Sequence, residues 1–264
     1  MAGVPGRVLP RVAMELHILG ACGSWPAADE ATSGYLLADS GFVLAIDLGT
    51  GTFARLQQRM SAEAVSSVVI THAHPDHFVD LYALFYFRFF HQEPLPPVDL
   101  FAPPGLLDAV TCYAPPERQA EMRASFRVHD VMPNQRFEVG PFEVRAHEMR
   151  HQPATIGLRI TSGDLCFAYS ADTGTTPEIV SLAHEADLFL CEATWPVANA
   201  QAPNHLSGLD AGRYAQAAEV RFLLLTHLWP AYDADQAVRE AAGSFAGEIA
   251  VARGGLTVAI GGSR

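Results

Sequence analysis

Thr71-His72-Ala73-His74-Pro75-Asp76-His77 places three imidazoles and a carboxylate within six residues, directly after the β-branched run Val65–Ile70. That run reads as a buried strand ending at Thr71. In an extended chain alternate side chains point the same way, so His72 and His74 address one point. Asp76 and His77 open the next helix and address a neighbouring point. One loop therefore offers two ligands to each of two nearby metal ions. Neutral imidazole with carboxylate suits Zn(II) foremost, and also Mn(II) or Fe(II). A polar loop whose histidines merely cap a helix is the plainer alternative. It leaves the clustering unexplained in a chain with 11 histidines among 264 residues.

Two ligands are too few to hold an ion, so further donors must come from elsewhere. His151 follows the strand Phe142–Glu148, Asp172 follows Leu165–Ser170, and His227 follows Phe222–Thr226. A single strand-end histidine is more often a hydrogen-bonding residue than a ligand. Four strands ending this way point to one shared cluster.

The remaining pattern is consistent with a layered fold. Short strands at Glu15–Leu19, Gly34–Leu37 and Phe42–Ile46 run hairpin-style, and strands then alternate with helices. The sequence passes through this order twice, which suits two packed sheets with helices outside. No short-period repeat is visible, and a duplicated half would be too diverged to see. A helix is predicted over Asp76–Phe90. Its aromatic segment Phe78–Phe90 reads as buried nearly all round, in the core or at a homodimer contact. That segment is too short to span a bilayer and contains Arg88, so no membrane partner is indicated.

Composition narrows the function. The chain is 49% hydrophobic and 17% charged, enough to bury a sizeable core. Its net charge is −12 with 17 Lys plus Arg, which counts against a nucleic-acid partner but not against a small anionic substrate. Cys22, Cys112, Cys166 and Cys191 form no C-x-x-C pair and read as free and mostly buried, which fits a reducing, cytoplasmic setting. Residues 1–13 read as a loose N-terminal leader, and 14–264 as a single domain.

The T-H-x-H-x-D-H loop, the later His151, Asp172 and the final Thr226-His227 together resemble the metallo-β-lactamase superfamily, from about Glu15 to the end of the chain. The resemblance implies an α+β fold, an αββα sandwich of two mixed β-sheets with helices on the outer faces. It implies that His72, His74 and His151 hold one metal ion, that Asp76, His77 and His227 hold the other, and that Asp172 bridges both. Asp47 matches the family's buried aspartate behind the histidine loop, supporting the ligands; a simple turn residue before Gly49 is the alternative.

Asp172 stands where many lactamases carry a cysteine, which lowers the β-lactamase reading. Asn204-His205-Leu206-Ser207-Gly208 looks like the His-x-Ser/Thr motif of ribonuclease Z-like phosphodiesterases, with Ser207 capping the next helix. The alternative for His205 is a helix-entry residue. Only 21 positions separate His151 from Asp172, and no basic, Gly-rich arm for gripping transfer RNA is visible. The segments Gly20–Ser24, Ser33–Leu37 and 205–212 resemble bacterial cyclic-nucleotide phosphodiesterases most. The implied reaction is hydrolysis of a small phosphodiester, 3′,5′-cyclic AMP foremost, by attack of a metal-bridging hydroxide. Asp76 and Asp172 serve catalysis as ligands, and His205 as phosphate contact or acid. Competing readings are a glyoxalase II-like thioester, lactone or arylsulfate hydrolase, ribonuclease Z-like RNA processing, and an inactive regulatory protein. For stacking on a base, Trp25, Tyr35, Phe85 and Trp195 are candidates, each more often a core residue.

Overall fold

The computed structural model describes residues 14–197 and 204–261. The expected leader, 1–13, lies outside them. The chain builds one sheet and then another. The first takes β1 (Met14–Cys22), β2 (Ala31–Thr32), β3 (Gly34–Asp39), β4 (Phe42–Leu48), β5 (Ser67–Val69), β6 (Val98–Ala102) and β7 (Phe126–Asp130). The second takes β8 (Arg136–Val139), β9 (Phe142–Met149), β10 (Thr155–Ser162), β11 (Leu165–Tyr169), β12 (Leu188–Glu192), β13 (Phe222–Thr226) and β14 (Glu248–Val251). β15 (Thr257–Ile260) then returns to pair with β1. The spatial orders are β15-β1-β3-β4-β5-β6-β7, with β2 on β1, and β14-β13-β12-β11-β10-β9-β8. In each sheet an antiparallel meander gives way to parallel strands, at β4–β5 in the first and at β11–β12 in the second. Both sheets are therefore mixed, as the resemblance implies.

Period-two alternation decides which face each side chain covers. Along β3, Tyr35 and Leu37 enter the layer between the sheets, with Leu16, Ile46, Leu158, Phe167 and Leu190. Leu36, between them, faces outward. It joins Leu56 of α1 (Thr52–Arg59), Leu84 and Phe85 of α3 (Leu81–Phe89) and Val110 of α4 (Leu106–Thr111). On the other side, Phe189 and Leu223 pack against Leu182 of α6 (Glu178–Ala183), Ala211 of α7 (Gly208–Ala217) and Ala237 of α8 (Ala234–Ala242). These are the four layers of an αββα sandwich. Each fully buried Leu or Phe contributes about 1.5–3 kcal/mol to it. Among the described residues no helix is long and apolar enough to cross a membrane.

Two local expectations need correction. The predicted helix Asp76–Phe90 is two helices, α2 (Pro75–Phe78) and α3. The Asp80 amide donates to the Leu48 carbonyl at 2.9 Å instead of closing a helical turn on Asp76. The Asp80 carboxylate accepts from the Phe53 amide at 2.8 Å. Nor is the aromatic segment buried all round, since Tyr86 and Phe90 are 36% and 70% exposed. The short strands β2 and β8 also went unpredicted. Of the cysteines, Cys22, Cys166 and Cys191 are buried but Cys112 is exposed.

Candidate metal centre

The histidine loop leaves β5 extended: His74 sits at φ −95°, ψ 141° before Pro75 opens α2. Proline suits that first helical position because its missing N–H needs no partner there. The loop is seated by backbone against backbone. A Cβ on Gly49 would lie 1.9 Å from the Asp76 carbonyl oxygen, so only glycine permits this approach. Three other site segments turn through left-handed backbone at non-glycine residues: Asp47 (φ 55°), Ala171 (φ 50°) and His227 (φ 55°). Each costs free energy on the order of 1 kcal/mol, and such outliers concentrate where a site demands a particular aim of a side chain.

The side chains form two sets around one carboxylate. In the first, His72 Nε2 lies 3.1 Å from His74 Nδ1, and His151 Nε2 lies 3.2 Å from the same atom. Asp172 Oδ2 stands 3.6 Å from His72 Nε2 and 3.8 Å from His151 Nε2. In the second, Asp76 Oδ2 is 3.2 Å from His227 Nε2 and 3.8 Å from His77 Nε2. Asp172 Oδ1 is 3.3 Å from His77 Nε2 and 3.4 Å from His227 Nε2. Four donors arranged tetrahedrally about an ion at about 2.0–2.2 Å stand about 3.3–3.6 Å apart. Both sets have that scale, and Asp172 gives one oxygen to each. The His/Asp clusters are thus able to bind metal ions.

Hydrogen bonds behind the rings decide which nitrogen faces inward. Asp47 can only accept, so His77 Nδ1 donates to it at 2.8 Å and Nε2 points to the centre. Thr71 Oγ1 donates to Asp47 at 3.0 Å and accepts from His72 Nδ1 at 3.1 Å. Thr194 Oγ1 donates to Glu192 at 2.7 Å and accepts from His227 Nδ1 at 2.8 Å. His151 Nδ1 donates to the Asn204 carbonyl at 3.1 Å. Such outer partners fix ring orientation and raise ligand basicity. Inside, His77 Nε2 and Asp172 Oδ1 are buried without a hydrogen-bond partner among the described residues. Burial, more than any neighbouring group, lowers the pKa of His72, His74 and His151, leaving them as neutral donors. At His77 burial opposes charge too, but Asp172, Asp47 and Asp76 outweigh it and raise its pKa well above the ordinary value. Burial also works against the anionic forms of Asp76 and Asp172. Even so, His77 and His227 hold Asp76 far below the ordinary range, and His227, His77 and His72 do the same for Asp172. Buried carboxylates ringed by inward-facing ring nitrogens form a site that divalent ions fit.

Ser207 caps α7 as predicted, accepting from the Asp210 amide in a reciprocal capping box. This sets His205 over the centre, its ring stacked on His227 at 5.5 Å and 18°. His205 Nδ1 donates to Glu192 at 3.1 Å. Burial disfavours the imidazolium, but the Glu192 carboxylate prevails and raises the His205 pKa to about 9.

All nine site residues singled out in the sequence, namely His72, His74, Asp76, His77, His151, Asp172, His205, His227 and Asp47, converge here. Of the stacking candidates, Tyr35 and Phe85 are fully buried, while Trp25 is 46% exposed beside the centre. Trp195 is half-buried, 4.2 Å from Trp229 between ring centroids. Sequence reasoning missed Glu192, a buried hub that also accepts from the Thr173 and Leu206 amides. It ends β12 as the predicted ligands end their strands, so the same signal marks it. Tyr169, donating to Asp47 at 3.0 Å, carries no such mark.

Comparison with known proteins fits this geometry. Residues 37–228 match the family described as the β-lactamase superfamily domain. An uncharacterised protein of Mycobacterium tuberculosis is 34% identical over 90% of this chain and 89% of its own length. The probable metallo-hydrolase YhfI of Bacillus subtilis is 29% identical over 92% of this chain and 98% of its own. The crystal structure of YhfI, a metallo-β-lactamase fold protein, superposes with a TM-score of 0.85, covering 94% of this chain and 99% of that one. A ribonuclease Z of Thermobifida fusca is 27% identical over 93% of this chain and 94% of its own.

Proposed function

Since the chain belongs to the β-lactamase superfamily, as a metal-dependent hydrolase of the metallo-β-lactamase fold, we propose that it is a dinuclear phosphodiesterase acting on a small phosphodiester, 3′,5′-cyclic AMP foremost. The observation that carries the reading is His205 held over Asp172, which gives one oxygen to each of two ligand sets.

His72, His74 and His151 would hold one ion, Asp76, His77 and His227 the other, with Zn(II) foremost and Mn(II) or Fe(II) as alternatives. Ions held there supply Lewis acidity, acidifying a water and neutralising charge on phosphoryl oxygens. The protein's own groups supply the rest. Asp172 fixes the spacing of the two sets. With Nδ1 committed to Glu192, His205 presents Nε2 to the open side, its side chain 18% exposed. The Glu192 carboxylate favours the protonated ring. That proton can be donated to a phosphoryl oxygen or to the departing alkoxide. An acid at this place has a use in phosphodiester cleavage, where the leaving alkoxide is strongly basic. A thioester's thiolate leaves without one.

The ribonuclease relative favours a phosphodiester bond, and two observations oppose RNA as the substrate. Its alignment runs over 305 positions, more than the 264 residues of this chain, so that enzyme carries inserted segments lacking here. The net charge of −12 also repels a polyanion. The test is chromatography of 3′,5′-cyclic AMP incubated with Zn- or Mn-loaded protein beside Asp76→Ala. Production of 5′-AMP by the wild type alone is expected; no product from protein with both ions bound overturns the substrate.

A further inference from the structure

A cavity of about 480 Å³ adjoins the candidate metal centre at His151, with Asn204 also on its wall. Its other walls come from three connections at the sheet ends: Pro103 and Pro104 after β6, residues 131–133 after β7, and the turn from β9 to β10. The size lies within the range of about 300–1,000 Å³ usual for small-molecule sites. Its apolar surface is preorganised, because Pro104 and Pro133 have almost no side-chain freedom to lose on binding. Met132 beside them is 55% exposed. A thioether chain left open to solvent can close on a flat ring. Its polar groups are Glu148, Arg150, Gln152 and Thr155.

We propose that this cavity receives the nucleobase of the substrate, with Pro104 and Met132 against its faces and Gln152 at its edge. The proposal rests on the phosphodiesterase reading and names the part of the substrate that reading leaves open. A phosphoryl group at the ligands beside His151 places its attached sugar at the cavity mouth. The Gln152 amide carries donors and an acceptor side by side, matching the amine and ring nitrogen of adenine. Arg150 has donors only, and one is turned to the Thr175 carbonyl at 3.4 Å. Trp25 is the rival platform. It lies on the other flank, where the neighbouring Ser24 amide donates to Asp76 at 2.8 Å.

The test is calorimetry of the Zn-loaded protein with 5′-AMP and with ribose 5-phosphate, neither of which is consumed. The wild type is expected to bind 5′-AMP about tenfold more tightly, the scale of one or two buried methylenes or a paired amide. Met132→Ala combined with Gln152→Ala should remove that preference and leave ribose 5-phosphate binding unchanged. Trp25→Ala should keep it. Equal affinity for the two ligands in the wild type overturns the proposal. So does a preference that survives the double variant and disappears in Trp25→Ala. Both altered cavity positions are exposed, so circular dichroism should show the fold intact. Hydrolysis of bis(p-nitrophenyl) phosphate by the same samples tests the underlying reading separately. Its absence strikes phosphodiesterase activity, whereas a lost base preference with hydrolysis intact strikes the cavity alone.

Discussion

His72, His74 and His151 meet one oxygen of Asp172 as three uncharged rings, whereas Asp76, His77 and His227 meet the other as a set carrying its own carboxylate. The contrast continues outward. Behind His72 stands Asp47 through Thr71, and behind His151 a main-chain carbonyl. Behind His77 stands Asp47, and behind His227 stands Glu192 through Thr194. Equal numbers of ligands thus sit in unequal fields. A divalent ion in the Asp76 set is the better neutralised, so that set should fill first and empty last under a chelator.

The largest effect belongs to the residue that both sets share. Asp172→Ala should release both ions and reduce hydrolysis to background; elemental analysis showing two retained ions would break the picture of a shared carboxylate. Single-set variants separate the two sites. Asp76→Ala should lose one ion per chain and most activity. His74→Ala should lose the other ion and keep the tighter-bound one, as followed by ion release during chelator titration. Reversed retention in this pair would show that charge does not order the two sets. Next comes His205→Ala, expected to lower turnover by about 10²–10⁴-fold with metal content unchanged. The sign of its pH effect follows from a pKa raised to about 9. The acid form persists below that value and is lost as pH rises through it, so wild-type turnover should fall there. The variant's pH–rate profile should lack that limb. The smallest effect is expected from Asp47→Asn, which weakens the outer support of His77 and Thr71 and should cost about 10–100-fold in metal affinity.

The candidate site residues were legible because strand-end residues of metal-binding type stand out even when far apart in sequence; their division into two sets came from the family resemblance. The layered fold was readable because its strands alternate with period two and its helices are spaced between them. What escaped depends on partners brought together only by folding. Nothing local marks Tyr169 as a donor to Asp47, more than a hundred residues away. The break between α2 and α3 is set by the Leu48 carbonyl and by Gly49 against Asp76, neither of which is in the helical segment. The aromatic run in α3 conveyed hydrophobicity but not direction, so the exposure of Tyr86 and Phe90 was invisible. Glu192 was legible and overlooked, because a strand-end glutamate aimed at amides and hydroxyls looks the same in sequence as one aimed at a metal.

The matching order of the two sheets, a meander turning parallel after β4 and again after β11, sets two acids at equivalent corners. Asp47 ends β4 and Asp172 follows β11, each beside a left-handed residue or occupying one. They occupy equivalent places in the two sheets, so the same architectural corner is used twice: one acid faces the ligand sets, and the other braces the ring and hydroxyl behind them.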